Sequence, residues 1–135
     1  MYINPKKKPT YAGLKRKLDS LFSEWIRRKD AGAYGRAMCV SCGMVSSWNK
    51  GMQCGHYISR NYLAGRWNSA NCFVQCVACN QFRRGNYPAF SAYLNKTFGP
   101  QYIEELLKLK RKTVKLYRSD LEEMIETYKS KLETL

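Results

Sequence analysis

Between Asp30 and Glu104 the sequence contains no aspartate or glutamate, although Arg36, Lys50, Arg60, Arg66, Arg83, Arg84 and Lys96 all fall there. A polyanion docking on this segment meets no opposing carboxylate. A metal ion held within it must draw on Cys, His, Asn or backbone oxygens. Histidine is nearly absent as well, with His56 the single example. No apolar run approaches the roughly 20 residues needed to cross a bilayer. The start, Met1 to Lys8, carries charges with no apolar run behind them, unlike a secretory signal. A cytoplasmic location is expected.

Charge of the other sign is abundant. The chain of 135 residues carries 24 Lys and Arg against 10 Asp and Glu, a formal net charge of +14. Such an excess draws a polyanionic partner by long-range attraction and counterion release. No basic amphipathic helix with an aromatic apolar edge points to a membrane surface, so nucleic acid is the expected partner. A hydrophobic fraction of 44% suits one globular domain with a modest core, for which a covalent or metal staple is an asset. From Glu104 onward the charges of both signs alternate, as on a solvated helix surface.

The pattern predicts an α+β chain. Residues 1–9 read as a flexible basic arm and 10–135 as one domain, with its core over 37–86 and C-terminal helices over 87–135. A helix over 10–29 follows from Leu14, Leu18, Leu21, Phe22, Trp25 and Ile26 on one face. Two short strands around Cys39 and Cys42, a strand over 51–60, a loop over 61–70, a strand over 72–75 and a helix from Cys79 to Arg84 come next. Helices over 87–98 and 101–111 are divided by Gly99-Pro100. Ser119 to Glu122 has the form of a capping box, and Leu121, Met124, Ile125, Tyr128 and Leu132 give the last helix an apolar stripe for the core or for a dimer contact.

Six cysteines in a reducing compartment argue against a disulfide framework. Four form two Cys-x-x-Cys pairs, Cys39/Cys42 and Cys76/Cys79, separated by 33 residues. Two such turns can converge on one tetrahedral zinc ion. Cys54 and Cys72 lie outside this pattern and read as small buried apolar residues. His56 falls between the two pairs, Asn80 directly follows the last cysteine, and Arg83 and Arg84 come within one turn, where phosphate oxygens can be met.

Taken in order, Cys39-Val-Ser-Cys42-Gly43, Gly55-His56-Tyr57, Asn68-Ser69-Ala70-Asn71, Gln75-Cys76-Val77-Ala78-Cys79-Asn80-Gln81 and Gly85-Asn86 resemble the lambdoid phage NinG (Rap) recombination proteins. That family is similar to the wider HNH, or His-metal-finger, nucleases, and the Cys-x-x-Cys-Asn ending is similar to phage endonuclease VII resolvases. The resemblance implies a small zinc-stapled ββα-metal core and cleavage of branched DNA such as D-loops and Holliday junctions. It implies His56 as general base on the attacking water. It implies Asn80 as an oxygen ligand of a catalytic Mg2+ or Mn2+, and Asn71 as the brace of the loop that aims the histidine. The sequence departs from many HNH enzymes in carrying Gly55 where they place an aspartate before the histidine. A backbone carbonyl, Asn86 or, least suited to a hard ion, Cys54 are the alternatives for a second ligand.

Arg60, Arg66, Arg83, Arg84, Lys6, Lys7 and Lys8 are the expected phosphate contacts, which position a duplex without reading its sequence. Tyr62 and Trp67 can stack on unpaired bases, although core packing is the better account of Trp67. With no recognition-helix pattern, branch or shape recognition is expected over sequence recognition. Cutting both strands of a junction suits a homodimer. The competing expectation is a non-catalytic, zinc-stabilised DNA-binding accessory protein in which Gly55 marks lost chemistry; action on RNA is a third.

Overall fold

A computed structural model of the chain describes residues 7–135. Lys6 of the expected basic arm lies outside these residues, whereas Lys7 and Lys8 are exposed. Mixed helices and two small antiparallel strand pairs make up the α+β architecture.

Helix α1 (Tyr11–Arg28) opens on Thr10, whose hydroxyl accepts from the Gly13 amide at 2.9 Å. That bond satisfies one of the free amides of the first turn. Leu14, Leu18, Phe22 and Ile26 recur every fourth residue and are buried. Each such side chain contributes roughly 1.5–3 kcal/mol on leaving water. Arg27 and Arg28 close the last turn, where cations suit the helix dipole.

Strands β1 (Arg36–Met38) and β2 (Val45–Ser47) form a hairpin whose connection carries Cys39 and Cys42. Strands β3 (Met52–His56) and β4 (Cys72–Cys76) pair antiparallel, from Met52 opposite Cys76 to His56 opposite Cys72. Directly opposed residues share a face. On one face Cys54, Cys72 and Val74 meet the core of α1; on the other Phe73 meets Phe90 and Leu94.

The segment expected to be a loop over 61–70 contains a short helix, α2 (Leu63–Arg66), and a 3-10 turn at Ser69–Asn71. No side chain caps α2; bonds from Asn71 and His56 to its carbonyls hold it. Such an element leaves no periodicity to read. The strand expected over 51–60 ends at His56 for a related reason, because Asn71 takes over the pairing. Its Oδ1 accepts from the Ile58 amide at 2.8 Å and its Nδ2 donates to the Ile58 carbonyl at 2.9 Å, as a partner strand would.

The helix expected from Cys79 to Arg84 is instead one π-helical turn, Ala78–Phe82. Arg84, Gly85 and Asn86 then adopt φ of 49°, 94° and 44°. Three successive residues with positive φ cannot continue a right-handed helix. Helices α3 (Tyr87–Phe98) and α4 (Gln101–Leu107) follow, the latter running into a 3-10 turn at Lys108–Lys110.

Helix α5 (Arg118–Glu133) caps on Tyr117, two residues before the expected Ser119, because Asp120 reaches back to accept from the Tyr117 amide at 2.7 Å. Its stripe packs within the chain: Leu121 and Ile125 join the α1 core, and Tyr128 stands edge-on to Phe22 at 5.2 Å. Of the two roles open to this stripe, it takes the core one. Among the described residues no helix is long and apolar enough to cross a membrane.

Candidate functional site

The sulfurs of Cys39, Cys42, Cys76 and Cys79 all lie within 4.8 Å of one another. Cys42 and Cys76 are 3.7 Å apart. A tetrahedron with zinc–sulfur bonds of about 2.3 Å has an edge of about 3.8 Å, so this spacing matches a zinc tetrathiolate. Gly43, with φ of 78°, closes the first turn in a conformation that a side chain would strain. In the second turn the Cys79 amide donates to Cys76 Sγ at 3.4 Å, and Asn86 Nδ2 donates to Cys79 Sγ at 3.4 Å. Such donors stabilise thiolate rather than thiol. Crowding divides the group. Burial raises Cys39, but surrounding backbone amides outweigh it and bring it down to about 7, whereas burial pushes Cys76 up to about 12. A divalent cation removes that conflict, and the cluster suits a structural zinc ion.

A second, open site lies about the end of β3. Asp19, Gln53, Cys54, His56, Arg60, Arg66 and Asn80 help to line a cavity of about 580 Å3. His56 Nε2 donates to the Arg66 carbonyl at 2.8 Å. A neutral imidazole has one proton, so this bond leaves the lone pair on Nδ1. Burial lowers the His56 pKa, with the charge of Arg60 acting the same way and the Arg66 carbonyl and Asp19 opposing; the net direction is down. The ring is therefore neutral near pH 7. Asn80 Nδ2 donates to Gln53 Oε1 at 2.8 Å, which turns the Asn80 amide so that its oxygen is left for another partner. That oxygen is a donor suited to a hard cation.

Asn71, fully buried, ties the chain beyond His56 to α2 through Ile58 and through the Gly65 carbonyl at 3.0 Å. The histidine's ring is anchored on the same helix. Gly55 has a steric cause: a Cβ there would lie 2.2 Å from Gln75 Oε1. Gln75 is itself buried, with its Nε2 held by Ser41 Oγ and the Gly85 carbonyl, each at 2.8 Å.

The expected phosphate contacts divide. Arg60 lines the cavity, and Arg84 is exposed. Arg83 is exposed but turns one guanidinium nitrogen to Cys79 Sγ at 3.9 Å. Arg66 is engaged by Asp19 at 2.9 and 2.5 Å, so it forms wall rather than a free cation. Trp67 is 7% exposed and donates to Asp19 at 2.9 Å, in keeping with a core role, whereas Tyr62 is 41% exposed. Asn86 belongs to the cysteine cluster and does not line the cavity.

Asp19 is the residue that sequence reasoning missed. The acid-free stretch suggested a site without a carboxylate, but α1 brings one to its wall. Burial raises the Asp19 carboxyl, yet the hydrogen bonds and charge of Arg66, with help from Trp67 and Arg60, hold it below 3.8. The available signal was the run Asp19, Ser23, Arg27, a polar line at four-residue spacing beside the apolar stripe, all of it facing the cavity.

The family model described as Bacteriophage Lambda NinG protein matches residues 5–135. The chain belongs to the NinG family. Protein ninG of Escherichia phage lambda is 34% identical over 73 residues, covering 50% of this chain and 33% of that protein. The proteins ninG of Escherichia phage 933W and Enterobacteria phage VT2-Sa are each 33% identical over 73 residues with the same coverage. The matched stretch thus spans about a third of the length of these NinG relatives. No solved structure matches.

Proposed function

We propose that this NinG-family chain is a metal-dependent, structure-selective DNA endonuclease of the HNH type, acting on branched recombination intermediates such as D-loops and Holliday junctions. The observation that carries this reading is that the only histidine and Asn80 line one cavity, the histidine neutral and anchored through Nε2. His56 Nδ1 takes the proton of the attacking water as its oxygen bonds to phosphorus and the bond to the 3′ oxygen breaks. General-base assistance of this kind is worth about 10²–10⁴-fold. The Arg66 carbonyl keeps the ring in the tautomer that carries its lone pair on Nδ1, and it steadies the imidazolium that forms. A Mg2+ or Mn2+ ion bound at the Asn80 oxygen would supply charge stabilisation for the departing oxygen. Arg60 in the cavity wall and the exposed Arg84, Lys7 and Lys8 would meet phosphates, and a homodimer would present two such sites to a junction. The cytoplasm of a phage-infected bacterium is the expected setting.

Cleavage of a labelled four-way junction, a D-loop, a linear duplex and an RNA counterpart tests this with wild type and His56→Ala. Retained zinc content serves as the folding control. The wild type is expected to cut branched DNA, and the folded variant to lose about 10²–10⁴-fold. Activity of the wild type falls as pH drops through the His56 pKa, with a midpoint below the ordinary 6.5, because the protonated ring has no lone pair. DNA binding without cleavage by both proteins would instead establish the zinc-stabilised accessory reading.

A further inference from the structure

Beyond the four-thiol cluster, a second group of soft donors occupies the face of β3–β4 that meets α1. His56 lies directly opposite Cys72, and Cys54 is two residues earlier on β3, so the register sets all three on one face. Their sulfurs and a ring nitrogen of His56 lie within 4.8 Å of one another. Cys72 is fully buried, while Cys54 is half-buried and lines the cavity, which gives an entry path from solvent. Arg27 lies near enough to Cys54 to interact with it as a charge, burial and the neighbouring Cys54 push the Cys72 thiol up, and Cys72 makes a weak contact with the Gly65 carbonyl at 3.8 Å.

We propose that Cys54, His56 and Cys72 form a second metal site that takes a soft cation of the zinc class. Two sulfurs and one imidazole select such an ion over magnesium, which prefers oxygen. Binding displaces one proton from each thiol, so that two thiolates balance the divalent charge and the neutral complex is tolerated beside the apolar core. Three protein ligands leave a fourth tetrahedral position for water from the cavity, unlike the closed four-cysteine site. The consequence for His56 is direct. Its single lone pair cannot serve a metal and a proton at once, so a soft ion here silences the ring as a base. This site stands whether or not the protein cuts DNA.

Titration of metal-free protein with cobalt(II) under a phosphine reductant tests it, with circular dichroism as the folding control. Wild type is expected to bind two equivalents. The second adds sulfur-to-cobalt charge-transfer absorption in the near ultraviolet, a band that oxygen ligands at Asn80 would not give. Cys54→Ser and Cys72→Ala are each expected to bind one sulfur-ligated equivalent and to keep the spectrum of the four-thiolate site. Should Cys72→Ala fail to fold, the half-buried Cys54→Ser decides the matter alone. Saturation of folded wild type at one equivalent overturns the proposal, as does an unchanged second equivalent in Cys54→Ser.

Discussion

Gly55 stands where the resemblance to HNH nucleases leads one to expect a carboxylate, and the space a carboxylate would need belongs to Gln75. With its amide nitrogen held at two points, that side chain has little freedom to withdraw. Its Oε1 has no hydrogen-bond partner among the described residues and occupies the space a Cβ at Gly55 would need. Gly55→Ala should therefore cost about 1–3 kcal/mol from overpacking alone, with no backbone strain to add. Gln75→Ala should relieve that clash. In a thermal or urea double-mutant cycle the pair is expected to be less destabilised than the sum of the single variants by about 1 kcal/mol or more. Strict additivity would mean that Gln75 does not fix the identity of residue 55. The same contact bears on chemistry, since a carboxylate cannot be restored at position 55 while Gln75 keeps its place.

Among the elements, β3 and α2 depend most on one side chain. Asn71 continues the β3 pairing past His56 and fastens α2, which in turn presents the Arg66 carbonyl to the ring. Asn71→Ala strands buried Ile58 and Gly65 backbone groups, each worth about 1–3 kcal/mol. The variant should lose a few kcal/mol and, where it still folds, show weakened hydrogen-exchange protection around Ile58 and Gly65 with α1 and α5 unaffected. Uniform loss of protection would show Asn71 to be part of the global core instead. The contrast explains what could be read in advance. Helices α1 and α5 were legible because their own apolar spacing specifies a face, and α3 and α4 because Gly99-Pro100 divides them. Helix α2 and the π-turn at Ala78–Phe82 were not, because tertiary bonds and the geometry of a cysteine turn override local preference. The clustered cysteines declared themselves by spacing, and His56 drew notice by its place between the two pairs. Asp19 did not, since only the packing of α1 over the end of β3 brings it to the cavity.

At the scale of the whole molecule, three modest apolar clusters among the described residues replace one large core, and the one around Ala37, Met52 and Trp48 contains three of the four clustered cysteines. A zinc ion held by these thiols would tie the β1–β2 hairpin to β4. Apart from the four thiols, its ties include Val40 to the Val74 carbonyl at 3.0 Å, Arg36 to the Ala31 carbonyl at 3.1 Å, Gln75 to Ser41, and Arg27 to the Trp48 carbonyl at 3.2 Å. The α1–α5 pair is instead held by its own buried side chains. Zinc binding in sites of this kind contributes directly to folding. Stripping the protein with a strong chelator should therefore lower its melting temperature and release the hairpin first. Amides over 36–47 would lose exchange protection while those of Leu18, Phe22 and Leu121 keep it. The cavity shares β3 with that hairpin's cluster through Met52, so the nucleic-acid binding proposed above should weaken in parallel and return on adding back zinc. A melting temperature indifferent to chelation, with zinc demonstrably removed, would show that the apolar packing alone holds the two Cys-x-x-Cys turns together.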